Sequence, residues 1–318
     1  MLKTYNKQPL SYQKQVQHLQ CKGMLIHNSA WAETVLSKYG YYRLSAYWYP
    51  FRVRKNRAIL DHFELNTHFE TIIRLYEFDT ELRLHIFSAI EVIETFLRTK
   101  LTYFIGHQFG AFGVYDAANF HPKFNHSNFI RNCNKEVERS KDSFIQHFQE
   151  NYSNFPKVPI WMLTEVLSLG SLSFLYHGLM NNKALNKEDK KAVAQHFSIH
   201  HEKLAEWLHI LTYIRSICAH HGRLWNKELA IKAKIDKNPH WQAPITPTNK
   251  RIFYVLLILK TLLRPTGFDT EWCLQINQLL RPILQDENYR FAMGFPDEWE
   301  KHPIWNLNRT GFVGDFFI

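Results

Sequence analysis

Three features of the sequence predict a mainly α-helical fold. From Phe69 to Phe104, Ile72, Tyr76, Leu82, Ile86, Ile90, Ile93, Leu97 and Leu101 recur mostly at spacings of three and four, and neither glycine nor proline intervenes until Gly106. The 318 residues contain only 12 glycines and 12 prolines, few for the many turns of an all-β chain. No segment alternates apolar and polar residues for long enough to make a convincing strand. With 45% hydrophobic and 21% charged residues, the chain can bury a core and does not have the composition of a disordered one. We expect one domain over 1–318, with a helical and aromatic region at 1–60, a core at 61–230, and further helices and a tail at 231–318.

Taken in order, residues 10–22 form a short helix capped by Ser11 and ended by Gly23. Ser29 caps a second, with Trp31, Val35 and Leu36 on one face and Gly40 past its end. The stretch Tyr39 to Arg54 mixes rings and arginines (Tyr42, Arg43, Tyr47, Arg52, Arg54), which suits either stacked nucleic-acid bases or an aromatic packing corner. In the long helix that follows, Glu91, Glu94 and Arg98 fall on one stripe, and Asp79 and Arg83 form an i, i+4 pair. Such groups are either exposed salt bridges or a row beside the core that orients functional residues. Residues 106–135 look like a long connection, a candidate insertion or mobile cap. Its His121 and His126 lack a carboxylate or cysteine to complete a metal set, and no metal site or cofactor is expected.

Helices resume at about 133–152. After Pro156 and Pro159, residues 161–176 read as one buried helix with Glu165 embedded in it, in need of a cationic partner. Asn186 begins another helix through Ala194, and residues 202–221 form the next. Residues 231–247 look like a surface excursion. Thr248 caps a helix at Ile252 to Leu263, and Asp269 caps one running to Leu284. The tail from Met293 is irregular, with tryptophans suited to docking.

A formal charge of +10 without a long basic tail suits contact between a folded surface and a polyanion such as nucleic acid, or simply a basic surface. Cys21, Cys133, Cys218 and Cys273 form no C-x-x-C pair, as in a reducing cytoplasm. The N-terminus lacks a signal-peptide core, and the apolar run Ile252 to Leu263 is too short for a bilayer and is interrupted by Lys260. A cytoplasmic protein without a membrane partner is expected.

Polar chemistry concentrates in Arg215-Ser-Ile-Cys-Ala-His220-His221-Gly222-Arg223-Leu224-Trp225-Asn226. Leu204, Leu208, Leu211, Arg215 and Cys218 share a helical face, so Arg215 stands where an aliphatic residue would be expected. A guanidinium there must be ion-paired, with Glu91, Glu94 or Glu165 available, or must face a polar cleft. His220 lies five residues on, about 140° around a continuous helix. The two side chains converge only if the helix ends near His220, which Gly222 would favour, or if a second copy faces the first. Histidine can take a proton from a ribose 2′-hydroxyl while arginine neutralises charge growing on phosphate oxygens, without a metal. The carboxylate cluster of a two-metal nuclease, a G-x-S-x-G elbow, a P-loop and a G-x-G-x-x-G fingerprint are all absent from the sequence.

Arg215 and His220 match the R-x4–6-H motif of HEPN-type ribonucleases, and residues 215–226 resemble the RN-x-CAHH-x-RLWN block of bacterial abortive-infection proteins of the AbiD/AbiF type. Tyr39 to Tyr47, Phe78 to Arg83, Ile90 to Arg98, Trp161 to Tyr176 and Met293 to Pro296 are similar to that family in the same order, so the resemblance spans about residues 5–305. It implies a HEPN-like helical bundle with added N- and C-terminal helices, and a role in phage defence. It also implies an endoribonuclease toxin that leaves a 2′,3′-cyclic phosphate under the control of a small antitoxin RNA. HEPN sites are commonly composite, which implies a homodimer with Arg215 and His220 as catalytic residues. Ser216, His221, Arg223, Asn226, Glu91, Glu94 and Arg98 would support them. Ser216 departs from the asparagine usual after the motif arginine and reaches less far. The other function classes open to the sequence are a non-catalytic protein that binds a structured small RNA, and a protein-interaction scaffold.

Overall fold

The computed structural model describes residues 8–56, 58–180 and 188–306, and the fold is mainly α. The chain forms two compact units, 1–82 and 83–318, with the boundary inside a helix where no break in the sequence pattern marks it.

In the first unit, α1 (Tyr12–Cys21) begins at Ser11, whose hydroxyl accepts from the Lys14 amide at 3.3 Å. The cap of α2 (Ser29–Tyr39) is Asn28 rather than Ser29: its Oδ1 accepts from the Trp31 amide, since an Asn side chain satisfies an orphan N–H as well as serine does. Trp31 lies on the exposed side of this helix, and Ala32, Val35 and Leu36 are its buried face. Gly40, at φ +81°, turns the chain into α3 (Tyr41–Trp48). Strands β1 (Arg52–Lys55) and β2 (Ala58–Phe63) then pair antiparallel. Alternation did not reveal this hairpin because β2 buries only Phe63. It is held instead by Phe63 N–H to the Lys22 carbonyl at 2.8 Å, and by Asp61 between Lys22 (2.9 Å) and Arg52 (3.2 Å). Leu19, Leu36, Leu44, Trp48, Phe69 and Ile72 form the core of this unit.

Helix α4 (Phe69–Phe109) passes through Gly106 and ends at Gly110, which takes φ +81°. A mid-helix glycine costs about 1 kcal/mol, less than the complete burial of Leu101 and Ile105 on the same turns contributes. Asp79 and Arg83 are buried, not exposed as the i, i+4 pattern alone allowed.

In the second unit the connection shrinks to 110–125 and is pinned rather than loose. The Tyr115 hydroxyl donates to Val158 O (3.0 Å) and accepts from Val158 N (2.9 Å), and the His126 ring bonds to Val114 O at 2.8 Å. Helices α5 (His126–Arg139) and α6 (Ser143–Asn151) follow. The single helix expected at 161–176 is two, α7 (Ile160–Val166) and α8 (Leu169–Gly178), because Ser168 caps α8 through the Ser171 amide. Glu165, inside α7, is exposed and needs no buried partner. Helix α9 (Asp189–Gln195) follows Glu188; the expected start at Asn186 lies outside the described residues.

Helix α10 (His201–Ala219) packs on α8 and α9, and α5 packs on α7. Residues 231–247 are more than a surface excursion: Trp241, in α11 (Pro239–Gln242), is buried between Trp207 and Tyr254, with ring centroids 5.2 and 5.3 Å away. The apolar α12 (Ile252–Leu263) is preceded by Arg251, which makes no side-chain cap, while Thr248 accepts from the Lys250 amide instead. Asp269 is the first residue of α13 (Asp269–Ile283) rather than its cap, and α14 (Glu287–Met293) follows. The tail docks as its composition predicts, with Trp299 and Trp305 buried around Phe253. Among the described residues, no helix is long and apolar enough to cross a membrane.

Candidate functional site

Within the second unit, α10 and the part of α4 from Arg83 onward supply the site. On α4, Arg83, Phe87, Glu94 and Arg98 fall within about 60° of one another at 100° per residue. Glu91 lies a further 20° beyond Arg98 and is exposed, so of the two carboxylates on the stripe only Glu94 reaches inward. On α10, Leu204, Leu208 and Leu211 are fully buried and hold the helix down. Arg215, one turn on, comes out at the edge of that stripe with its side chain 39% exposed.

Glu94 links the helices. One oxygen accepts from Arg98 Nη2 at 3.0 Å, and the other lies 3.6 Å from Arg215 Nε. Arg98 is fixed further by Nε to Thr164 O (2.9 Å) and Nη2 to Leu167 O (3.1 Å), so the α7–α8 break aims two carbonyls at it. The Arg215 guanidinium also stands 5.6 Å from the Phe87 ring centroid, a cation–π distance. Two cations thus share one carboxylate, which leaves a net positive charge at the exposed guanidinium. Among the described residues, Arg215 is ion-paired through Nε, and its part-exposed guanidinium is open to an anion from solvent.

Helix α10 ends just beyond Arg215. His220 is the last, non-helical residue of the cap, and the left-handed position belongs to His221 (φ +54°), not to Gly222. The His221 amide donates to Cys218 O (3.0 Å) and the Gly222 amide to Ile217 O (2.8 Å), the paired bonds of a Schellman end. Gly222 meets another requirement, since a Cβ there would lie 3.1 Å from Ile217 Cγ2. His220, His221 and Ser216 are exposed, and the His220 ring bonds to no other described residue. After the turn, Leu224 and Trp225 are buried, with Trp225 edge-on to Tyr289 at 5.6 Å. Arg223 is half-buried, and Asn226 is clasped through its carbonyl by Arg251 Nη1 at 2.6 Å. Arg83 Nη1 reaches Gly222 O at 3.5 Å.

The structure therefore brings Glu94, Arg98 and Arg215 together, with His220 on the turn that follows, and leaves Glu91 aside. Sequence reasoning missed Phe87 and the two carbonyls of 164 and 167, and named Arg83 only in its pair with Asp79. Phe87 carries a signal, since it shares the helical face of Glu94; the carbonyls carry none. In the first unit, the ring-and-arginine stretch divides. Tyr42 is 91% exposed, with Arg43 and Arg54 also exposed. Tyr47 is buried, its hydroxyl donating to Asp79 Oδ2 at 2.7 Å, and cannot stack a base; Arg52 is paired with Asp61.

Neither a curated protein nor a solved structure matches the chain. A family model described as Abi-like protein matches residues 34–226, more than half of the 318, and its match ends on Asn226, the last residue of the polar cluster. The chain belongs to this Abi-like family, an abortive-infection family.

Proposed function

We propose that the protein is a metal-independent endoribonuclease of HEPN type, acting as a toxin in abortive infection by phage. The observation that carries this reading is the half-exposed Arg215, anchored at one edge by Glu94 and free at the other, one turn before an exposed histidine. The His220 imidazole would take the proton of a ribose 2′-hydroxyl as the 2′-oxygen attacks phosphorus. The P–O5′ bond breaks, the 5′-oxygen is protonated as it leaves, and the products are a 2′,3′-cyclic phosphate and a 5′-hydroxyl. Arg215 would neutralise charge on the non-bridging oxygens. Glu94 and Arg98 act as positioning residues by holding the guanidinium.

The end of α10 at Ala219 allows Arg215 and His220 to act from one chain, while the roughly 140° between their positions suits a composite site in a homodimer, where one copy's His220 serves as base and the other's as acid. The +10 charge suits RNA as substrate and a small RNA as regulator. Purified protein incubated with total RNA in EDTA should cut it and leave 2′,3′-cyclic ends. His220→Ala, at an exposed position, should fold normally and lose about 10²–10⁴ of the rate. Equal cleavage by that variant would overturn the assignment.

A second reading, RNA binding without cleavage, is favoured by the bare Tyr42 ring beside exposed Arg43. It requires salt-sensitive RNA affinity that Arg215→Ala leaves unchanged, together with no cleavage of any RNA.

A further inference from the structure

We propose that His27, His68 and Glu70, all in the first unit, form a binding site for a zinc-type divalent cation. The two histidines are distant in sequence and are brought together by backbone pairing. Leu25 N–H donates to Thr67 O at 2.8 Å and Phe69 N–H to Leu25 O at 3.0 Å, which lays the turn after α1 along the entry to α4. As a result His27 Nε2 and His68 Nδ1 lie 3.2 Å apart, with the rings stacked at 5.3 Å and 25°. Two nitrogens bound to one tetrahedral ion at about 2.0–2.1 Å are about 3.3 Å apart, so this pair already has the spacing of two ligands. The third donor is Glu70, in the first turn of α4, and the three donor atoms all lie within 4.8 Å of one another.

The carboxylate supplies an independent reason to expect a cation. Glu70 Oε2 is buried and has no hydrogen-bond partner, and no lysine or arginine among the described residues lies within ion-pair distance of it. A buried carboxylate oxygen is costly unless something positive or a donor meets it. Moving Oε2 and the exposed His27 inward by about 1 Å would give three ligands at tetrahedral spacing. Solvent on the His27 side would supply the fourth. Two imidazoles exclude calcium and magnesium as preferred occupants, because those ions take oxygen ligands, and favour zinc and its neighbours. Both histidines would bind neutral, each with its second ring N–H turned away from the ion. The bound ion would clip the 25–28 turn to the start of α4.

The experiment uses the full chain, stripped with EDTA and desalted, then titrated with zinc against a chromophoric chelator, with cobalt as a spectroscopic probe. One equivalent should bind at micromolar affinity or tighter, and cobalt should show the visible bands of a four-coordinate site. Zinc should raise the melting temperature of the stripped protein. His27→Ala, on an exposed turn, and Glu70→Gln, which keeps the shape, should each weaken binding at least tenfold and lose that thermal shift. Because the sequence holds 18 histidines, the variants separate this site from adventitious binding. Undiminished affinity in both variants, or no zinc bound by the natural chain, would overturn the proposal. The readout is metal binding and melting, so it is independent of RNA cleavage.

Discussion

Two cations of the second unit sit in apolar surroundings and are treated in opposite ways. Lys260 is 7% exposed, and its ammonium donates to Trp305 O at 2.7 Å inside the tryptophan cluster. Burial pushes its pKa below the usual lysine value, because the low-dielectric cluster penalises the charge more than the neighbouring thiol of Cys273 and carboxylate of Asp269 offset. Arg215 keeps 39% of its side chain in solvent and has one carboxylate at 3.6 Å on one edge. The lysine's charge is used up in holding the tail to α12. The arginine's is positioned and left open. A buried, satisfied cation is a device of architecture; a tethered, half-open one offers its charge to something outside the chain.

The largest expected effect is on rate: Arg215→Ala should cut RNA cleavage by about 10²–10³, the usual cost of removing one donor from a developing oxyanion. Its effect on unfolding in urea should stay under about 1 kcal/mol, because the ion pair is part-exposed. A large loss of stability with cleavage intact would place Arg215 beside Lys260 as a structural cation.

Next is acid sensitivity in the tryptophan cluster. His302 is fully buried, its Nε2 bonding to Trp241 O and its Nδ1 accepting from the Ile304 amide, both at 3.3 Å. This pattern needs a neutral ring, and burial pushes its pKa down to about 4, aided by the Lys260 charge and opposed by the Trp241 bond. Between an unfolded pKa of about 6.5 and about 4 the unfolded chain binds the proton and the folded chain does not. Stability should therefore fall as pH drops through that window, by about 3 kcal/mol from this group. Denaturant titrations at pH 7, 5.5 and 4.5 should show a flatter decline for His302→Gln, which keeps one donor and one acceptor. An unchanged slope would remove His302 as the cause.

Lys260→Met should cost about 1–3 kcal/mol in urea, since it keeps the volume but leaves the Trp305 carbonyl only the weak 3.8 Å bond from the Cys273 thiol. A neutral result would mean the charge was only tolerated. The smallest effect concerns His221, a non-glycine residue in the left-handed region. His221→Gly should stabilise by about 1 kcal/mol, seen as a rise of a few degrees in melting temperature. If RNA cleavage survives that change, the His221 side chain takes no part in it.

The helix periods of α4 and α10 were legible because each buries an apolar stripe, and Arg215 stood out as a charge on the Leu204–Leu208–Leu211 stripe of α10. Of its three candidate partners, the α4 stripe favours Glu94, since Glu91 sits about 60° away around the axis. Glu165 misled because it lies in a largely apolar run, and the Ser168 cap that splits that run was passed over. Tyr42 and Tyr47 could have been separated by their spacing on α3, which turns them about 140° apart. The left-handed residue at the end of α10 was expected next to, rather than at, its true position, because glycine drew the assignment. The Leu25–His68 pairing that joins His27 to His68 had no local signal at all, which is why no metal set was apparent in the sequence.

The clasp of Arg251 on Asn226 extends the constraint on the polar cluster into a distant part of the chain. Gly294, at φ +79° after α14, abuts that arginine: a Cβ there would lie 2.5 Å from Arg251 Cβ and 3.0 Å from Thr248 Cγ2. Any side chain at 294 would therefore dislodge the residue that holds the end of the cluster. Mutational tolerance in the tail is set by the cluster as much as by the tail's own packing, although the family match stops at residue 226.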